Sequence, residues 1–283
     1  MRLLLLVAVC LGACAHSLPL NLTDLRANAI LGGQAAKLGQ FPFVVYIQPY
    51  CTGVIISERH VLTQESCVRE IQANSKVYAG LMTLNNLDSP GVQQSAIRYT
   101  DFLSLPGQKS RDYGIGVITL ETPFKYNANV KNILLLADDA WVTDPGNKRA
   151  PIQTISYGYD REWRPNNHLS FMNLKILANS VCRSVLNSQS KRQSSLVLIS
   201  AIFGAILTEN GVFALDLPKE AAIFCILYYD DGAPLLTGNL LVGLAVYRTL
   251  SYDEANGGFY VRLAPYCFEI EKVVGHTLGC YRP

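Results

Sequence analysis

Little in this chain of 283 residues points to nucleic acid, to a metal or to a membrane. The formal net charge is only +2 and no block of like charge occurs, so the basic footprint of a nucleic-acid binder is missing. Pairs such as Lys148-Arg149 and Lys191-Arg192 stand isolated and read as solvated loop charge. Histidine occurs only four times, at positions 16, 60, 168 and 276, without the close spacing that a zinc site requires. No low-complexity tract is present, and beyond the first fifteen residues no stretch reaches the roughly 18 uninterrupted apolar residues of a membrane span. With 49% hydrophobic residues, the chain reads as globular, not disordered. No cofactor motif stands out, and the expectation is none.

What is present begins with Arg2, the apolar run Leu3 to Ala13 and the small-residue triplet Ala13-Cys14-Ala15. This is the pattern of a secretory signal peptide over residues 1–15, too short to cross a bilayer as a helix. The mature chain is expected to start near His16 and to be secreted, with 16–29 a short propeptide-like segment. Asn21-Leu22-Thr23 is an N-glycosylation sequon within it. Of eight cysteines, Cys10 and Cys14 leave with the signal. The other six, Cys51, Cys67, Cys182, Cys225, Cys267 and Cys280, read as disulfide partners in an oxidising compartment.

Short β-type runs recur at Phe43 to Ile47, Gly53 to Ile56, Ile115 to Leu120, Ile152 to Ser156, Leu174 to Leu177, Leu240 to Val246 and Gly258 to Leu263. Glycine, proline and polar turn residues separate them. Many short strands at such spacing predict an all-β sandwich or barrel, and the length suits two barrels, with a crossover in the polar stretch 140–149. Phe268 to Val274 carries helical spacing and predicts a short terminal helix.

Ile30-Leu31-Gly32-Gly33 with Gln40-Phe41-Pro42-Phe43 resembles the mature start of the chymotrypsin-like (S1) serine proteases. The resemblance continues in order through Cys51-Thr52-Gly53-Val54-Ile55-Ile56-Ser57, Val61-Leu62-Thr63, Tyr113 to Leu120 with Pro123, Asp230-Asp231-Gly232-Ala233-Pro234-Leu235 and Gly257-Gly258-Phe259-Tyr260-Val261-Arg262. It covers about 30 to 275. The fold it implies is two six-stranded antiparallel β-barrels, at about 30–140 and 150–265 of a domain covering 30–283, with a terminal helix at about 266–276.

The chemistry of that family needs a serine oxygen, an imidazole to take its proton and a carboxylate to orient the imidazole. Carried over residue by residue, the imidazole position is Ser66, the carboxylate position Gly114 and the nucleophile position Asp231. A hydroxyl is no base near neutral pH, and a carboxylate is a weak nucleophile toward an amide. His60, six residues before Ser66, reads as a strand-end packing residue. Asp112 lies two residues from Gly114, roughly 6 to 7 Å along an extended strand, beyond hydrogen-bond reach. Tyr229 stands where the family has the glycine of the oxyanion turn, and Tyr247-Arg248 where tryptophan-glycine forms the pocket rim. Asp230 is the family's activation-pocket acid, although Ala27-Asn28-Ala29 before Ile30 offers no basic cleavage residue and Arg26 is three residues early.

The resemblance also implies Cys51–Cys67 as the bridge closing the histidine loop. The remaining four cysteines allow three pairings, of which Cys182–Cys225 with Cys267–Cys280 leaves no family cysteine alone. Two functions compete. One is a secreted non-catalytic homologue that binds extracellular proteins, active proteases or their substrates, as cofactor, decoy or regulator. Such homologues are similar in pattern and frequent in arthropods, in haemolymph cascades or seminal fluid. The other is an active hydrolase with relocated chemistry.

Overall fold

The computed structural model describes residues 33–103, 114–137, 152–157, 167–176, 212–216, 232–248 and 258–275, with 278 and 280. A short strand β1 (Gln34–Ala35) precedes the first ring of strands. That ring comprises β2 (Val44–Ile47), β3 (Cys51–Ser57), β4 (His60–Gln64), β5 (Lys76–Ala79), β6 (Gln93–Leu103) and β7 (Ile115–Leu120). A helix α1 (Glu65–Arg69) follows β4 directly, and β8 (Leu134–Leu135) follows the ring. The second set is β9 (Ile152–Ser156), β10 (Ser170–Ile176), β11 (Val212–Asp216), β12 (Pro234–Thr237), β13 (Leu240–Arg248) and β14 (Gly258–Arg262). A 3-10 turn at Ala264–Tyr266 leads into the C-terminal helix α2 (Cys267–Val274).

The first ring closes in the order β2-β3-β4-β7-β6-β5. In the second, β9 pairs with both β10 and β12, and the path β10-β11-β14-β13-β12 completes the circuit. Numbering each ring's strands one to six, both run one-two-three-six-five-four. Closure removes the free edges that an open antiparallel sheet would expose. The two-barrel all-β expectation and the terminal helix are therefore present, and Ile115–Leu120 and Ile152–Ser156 carry the same bounds as expected. Outside the runs expected as strands were β1, β4, β5, the long and largely polar β6, β8, β11 and β12.

Strands β2, β3 and β7 of the first ring read as largely apolar runs because both of their faces are covered. Side chains alternate between faces with period two. Val45, Ile47, Ile55, Val61 and Ile118 join one buried cluster. Their neighbours Val44, Val54, Ile56, Leu62 and Val117 join a second, which also holds Ile155, Leu236, Leu244, Val261 and Ile270 of the following half. The two rings thus share a core.

Terminal segments cross over and tie the halves together. β1 pairs with β10 of the second ring through Gln34↔Phe171 and Ala35↔Ser170, and Ala36 N donates to Leu169 O at 2.8 Å. In return α2 contacts β6. Helix α2 ends at Gly275, whose φ of 76° is the left-handed C-cap conformation that glycine adopts without Cβ strain. Cys267–Cys280 fastens it.

Candidate functional site

The site grows from the junction of β4, α1 and β7. Strand β4 pairs with β7 from His60↔Thr119 to Gln64↔Ile115, and the chain then turns into α1, where Glu65 N donates to Gly114 O at 3.0 Å. Cys67 of α1 is bonded to Cys51 at the start of β3, with their Cα atoms 5.9 Å apart. Helix residues three apart share a face, as do strand residues two apart. Glu65 and Val68 accordingly lie over Gly114 and Gly116. A Cβ placed on Gly114 would run into Glu65 Oε2, and one on Gly116 into Val68 Cγ2. The two glycines are what let α1 settle onto β7. Glu65 is only 4% exposed and its Oε1 accepts from the Arg69 guanidinium one turn later. That guanidinium, about half exposed, lies 5.4 Å from the centre of the Phe102 ring.

Facing this junction is the turn into β12. Gly232 has φ of 78°, a conformation costly to residues with a Cβ. Its N–H donates to Ala245 O at 3.2 Å, and Ala245 N donates to Ala233 O at 2.9 Å. A Cβ on Gly232 would strike Thr52 O and Thr63 Oγ1, and Thr63 Oγ1 itself donates to Thr52 O at 2.8 Å. The residue after position 231 is therefore seated on the first ring, three residues before Ser66 in β4. Thr52 Oγ1 and Ser156 Oγ, 3.4 Å apart, and Tyr157 OH, donating to Leu81 O at 2.7 Å, continue the seam between rings.

Ser66 and Gly114 are thus brought to one place. Asp231, Asp230 and Tyr229 lie outside the described residues, as do Asp112, Arg26, Asn21, Cys182 and Cys225. The backbones of Tyr247 and Arg248 end β13, opposite Phe259 and Gly258, and their side chains also fall outside. Cys51–Cys67 and Cys267–Cys280 are both formed. Cys267, Glu271 and Cys280 cluster closely, but the two sulfurs are bonded to each other and Glu271 Oε1 accepts from Leu278 N at 2.9 Å; no thiolate is left there for a metal.

His60 is far from the junction. It opens β4, is 8% exposed, and its Nδ1 lies 2.7 Å from Ser57 Oγ, which also accepts from Arg59 N at 3.3 Å. Ser57, Glu58 and His60 line an open groove of about 740 Å³ with Tyr126, Asn132 and Val274. Partial burial, and then the Glu58 charge, push the Tyr126 phenol up to about 12. His168, the other histidine among the described residues, forms a bridge with Thr83.

The trypsin family profile matches residues 30–267. The chain belongs to the trypsin family. Among curated relatives, trypsin theta of Drosophila melanogaster is 25% identical over 92% of this chain and 94% of its own length. Hypodermin-A of Hypoderma lineatum is 23% identical over 86% of each, and the chymotrypsin-like serine proteinase of Haliotis rufescens is 22% identical over 87% of this chain and 91% of its own. Among solved structures, two variants of human heparin binding protein share the fold, with TM-scores of 0.65 and 0.66, 20% identity, and coverage of 86% of this chain and 96% of theirs. Sequence reasoning passed over Glu65 entirely. Its signal was Gly114-Ile115-Gly116 at the head of a buried strand, where paired glycines mark a close approach.

Proposed function

We propose that this protein is a secreted, non-catalytic member of the trypsin family that binds extracellular proteins, proteases or their substrates, as a cofactor, decoy or regulator. The observation that carries this reading is the place of the imidazole. Position 66, directly before Cys67 and beside the seam with Gly232, holds a serine, whereas His60 sits at the opposite end of β4, bonded to Ser57. Gln64 lies four residue steps along the strand from His60, roughly 13 Å, so His60 cannot reach the junction. Gly114, with Glu65 against it, supports the reading from the acid side. Asp231, Tyr229, Tyr247 and Arg248 support it by residue type. Two disulfides suit an oxidising, extracellular compartment, as does the leader-like start.

A serine-directed phosphonate should leave the mature protein unlabelled, and Ser66→His alone should not create turnover of a peptide ester, because triad members act as a unit. Measurable turnover by that single variant would overturn the reading. A binding role predicts crosslinking of the purified protein to specific protease or substrate chains from its native fluid, identified by mass spectrometry. Relocated hydrolase chemistry remains a second reading, favoured by one observation: a serine hydroxyl and an imidazole 2.7 Å apart in an open groove, at Ser57 and His60. Phosphonate labelling lost on Ser57→Ala would establish it; absence of labelling removes it.

A further inference from the structure

We infer that Glu65 supplies, from the neighbouring helix, the carboxylate that the family carries on position 114, and that with Arg69 it forms a latch that holds the former acid position shut. This rests on the reading of Gly114 as the acid position. Gly114 contributes no side chain, yet its Cβ direction is not empty, since Glu65 Oε2 occupies it. The negative group has been kept in place while its point of attachment has moved from β7 to α1.

A carboxylate buried to this degree is costly unless paired. Glu65 meets that demand locally. Its Oε1 accepts from Arg69, whose guanidinium is in turn held over the Phe102 ring of β6, and its backbone N–H is taken by Gly114 O. The latch therefore joins α1 to β7 and β6. Its chemistry differs from that of a triad acid. Successive helix residues point about 100° apart, so a carboxylate on residue 65 is aimed away from a side chain on residue 66. One of its oxygens is already committed to a guanidinium. The carboxylate serves packing and charge balance instead of orienting a base. Any side chain at 114 and the Glu65 side chain are mutually exclusive in this position, so an aspartate placed at 114 would require Glu65 to move.

A double-mutant cycle on the full chain tests this, with thermal midpoints as the readout. Gly114→Ala should lower the midpoint by about 5 °C or more, given a few degrees per unit of overpacking in a chain of this size. In a Glu65→Ala background the same change should be neutral or should raise the midpoint, because the colliding oxygen is gone. Should Glu65→Ala not fold, Glu65→Asp draws the carboxylate back by one methylene and should still lessen the cost of Gly114→Ala. As a second readout, Glu65→Ala should gain stability from sodium acetate over sodium chloride at equal ionic strength and pH, with acetate entering beside Arg69, and Glu65→Ala/Gly114→Ala should lose that gain. Additive midpoints, or equal effects of acetate and chloride, would overturn the inference. Activity is not read here, so a failed cycle leaves the non-catalytic reading standing, and ester turnover would leave the latch standing.

Discussion

The two rings of strands share one order and differ in how far apart in sequence their neighbours lie. In the first, β2, β3 and β4 follow one another across turns of two or three residues, and a bridge between Cys51 and Cys67 closes the group. In the second, β10 and its partner β11 are separated by residues 177–211, and β11 precedes β12 by 217–233. Longer closures cost more chain entropy, so the second ring depends more on what packs against it. Strand β1 from the other half, the shared apolar cluster and the tethered α2 supply that packing. Identical topology can thus rest on local turns in one half and on distant contacts in the other.

Reduction should disturb this contrast most. Native bridges in secreted domains typically contribute about 2 to 5 kcal/mol each, so full reduction should lower the thermal midpoint markedly, and an unchanged midpoint would contradict it. Pairwise serine replacements sharpen the comparison. Losing Cys51–Cys67 should loosen the α1–β7 junction, and losing Cys267–Cys280 the α2 region, each visible as hydrogen exchange confined to that half.

Next in size is Gly232→Ala, which acts where the halves meet. A left-handed φ costs a residue with Cβ about 1 to 2 kcal/mol, and collision with Thr52 O and Thr63 Oγ1 adds about 1 to 3 kcal/mol of overpacking. The expected loss, read from the urea midpoint, is about 2 to 5 kcal/mol. A neutral outcome would mean that the seam is looser than either ring.

Tyr157 joins the rings at another point, and its contribution depends on pH. Burial first, and then nearby Tyr46, raise its phenol above the ordinary value of 10. On unfolding, the phenol ionises near pH 10, while in the folded protein it keeps its proton. The unfolded state therefore binds fewer protons above that pH, and stability is complete below about pH 10 and falls as pH rises. Tyr157→Phe should cost about 1 to 3 kcal/mol at neutral pH by leaving Leu81 O unpaired, and it should flatten the alkaline limb in urea midpoints taken from pH 7 to 11. An unaltered slope would place alkaline lability elsewhere, with Tyr126 next in line. Smallest of all, Lys272→Ala should change stability by less than about 0.5 kcal/mol. Its pairing with Glu269 at 2.9 Å is solvent-exposed.

How much was legible follows from the same contrast. Ile115–Leu120 and Ile152–Ser156 stood out because they are short, buried and rich in β-branched residues. Strand β6 did not, because polar Gln93, Gln94, Arg98 and Asp101 interrupt its apolar residues and Gln94, Arg98, Tyr99 and Phe102 are exposed, and only its ladders to β5 and β7 make it a strand. Strand β12 was hidden inside a motif read for its chemistry. At the site, Ser66 and Gly114 were reached by register within a family pattern, whereas Glu65 belonged to no motif and became visible only when α1 was seen lying on two glycines.

Residue order alone determined the succession of apolar runs, the helical spacing at the C-terminus and the residue types at positions 66, 114 and 231, because each is a property of types and their separation along the chain; the pairing Cys51–Cys67 came from the family resemblance. Closure of both rings, the crossing of β1 and α2 between them, and the filling of Gly114's empty side by Glu65 were decided only in the tertiary structure. Those depend on which surfaces meet, and a glycine in the chain records that space is needed without recording what will fill it.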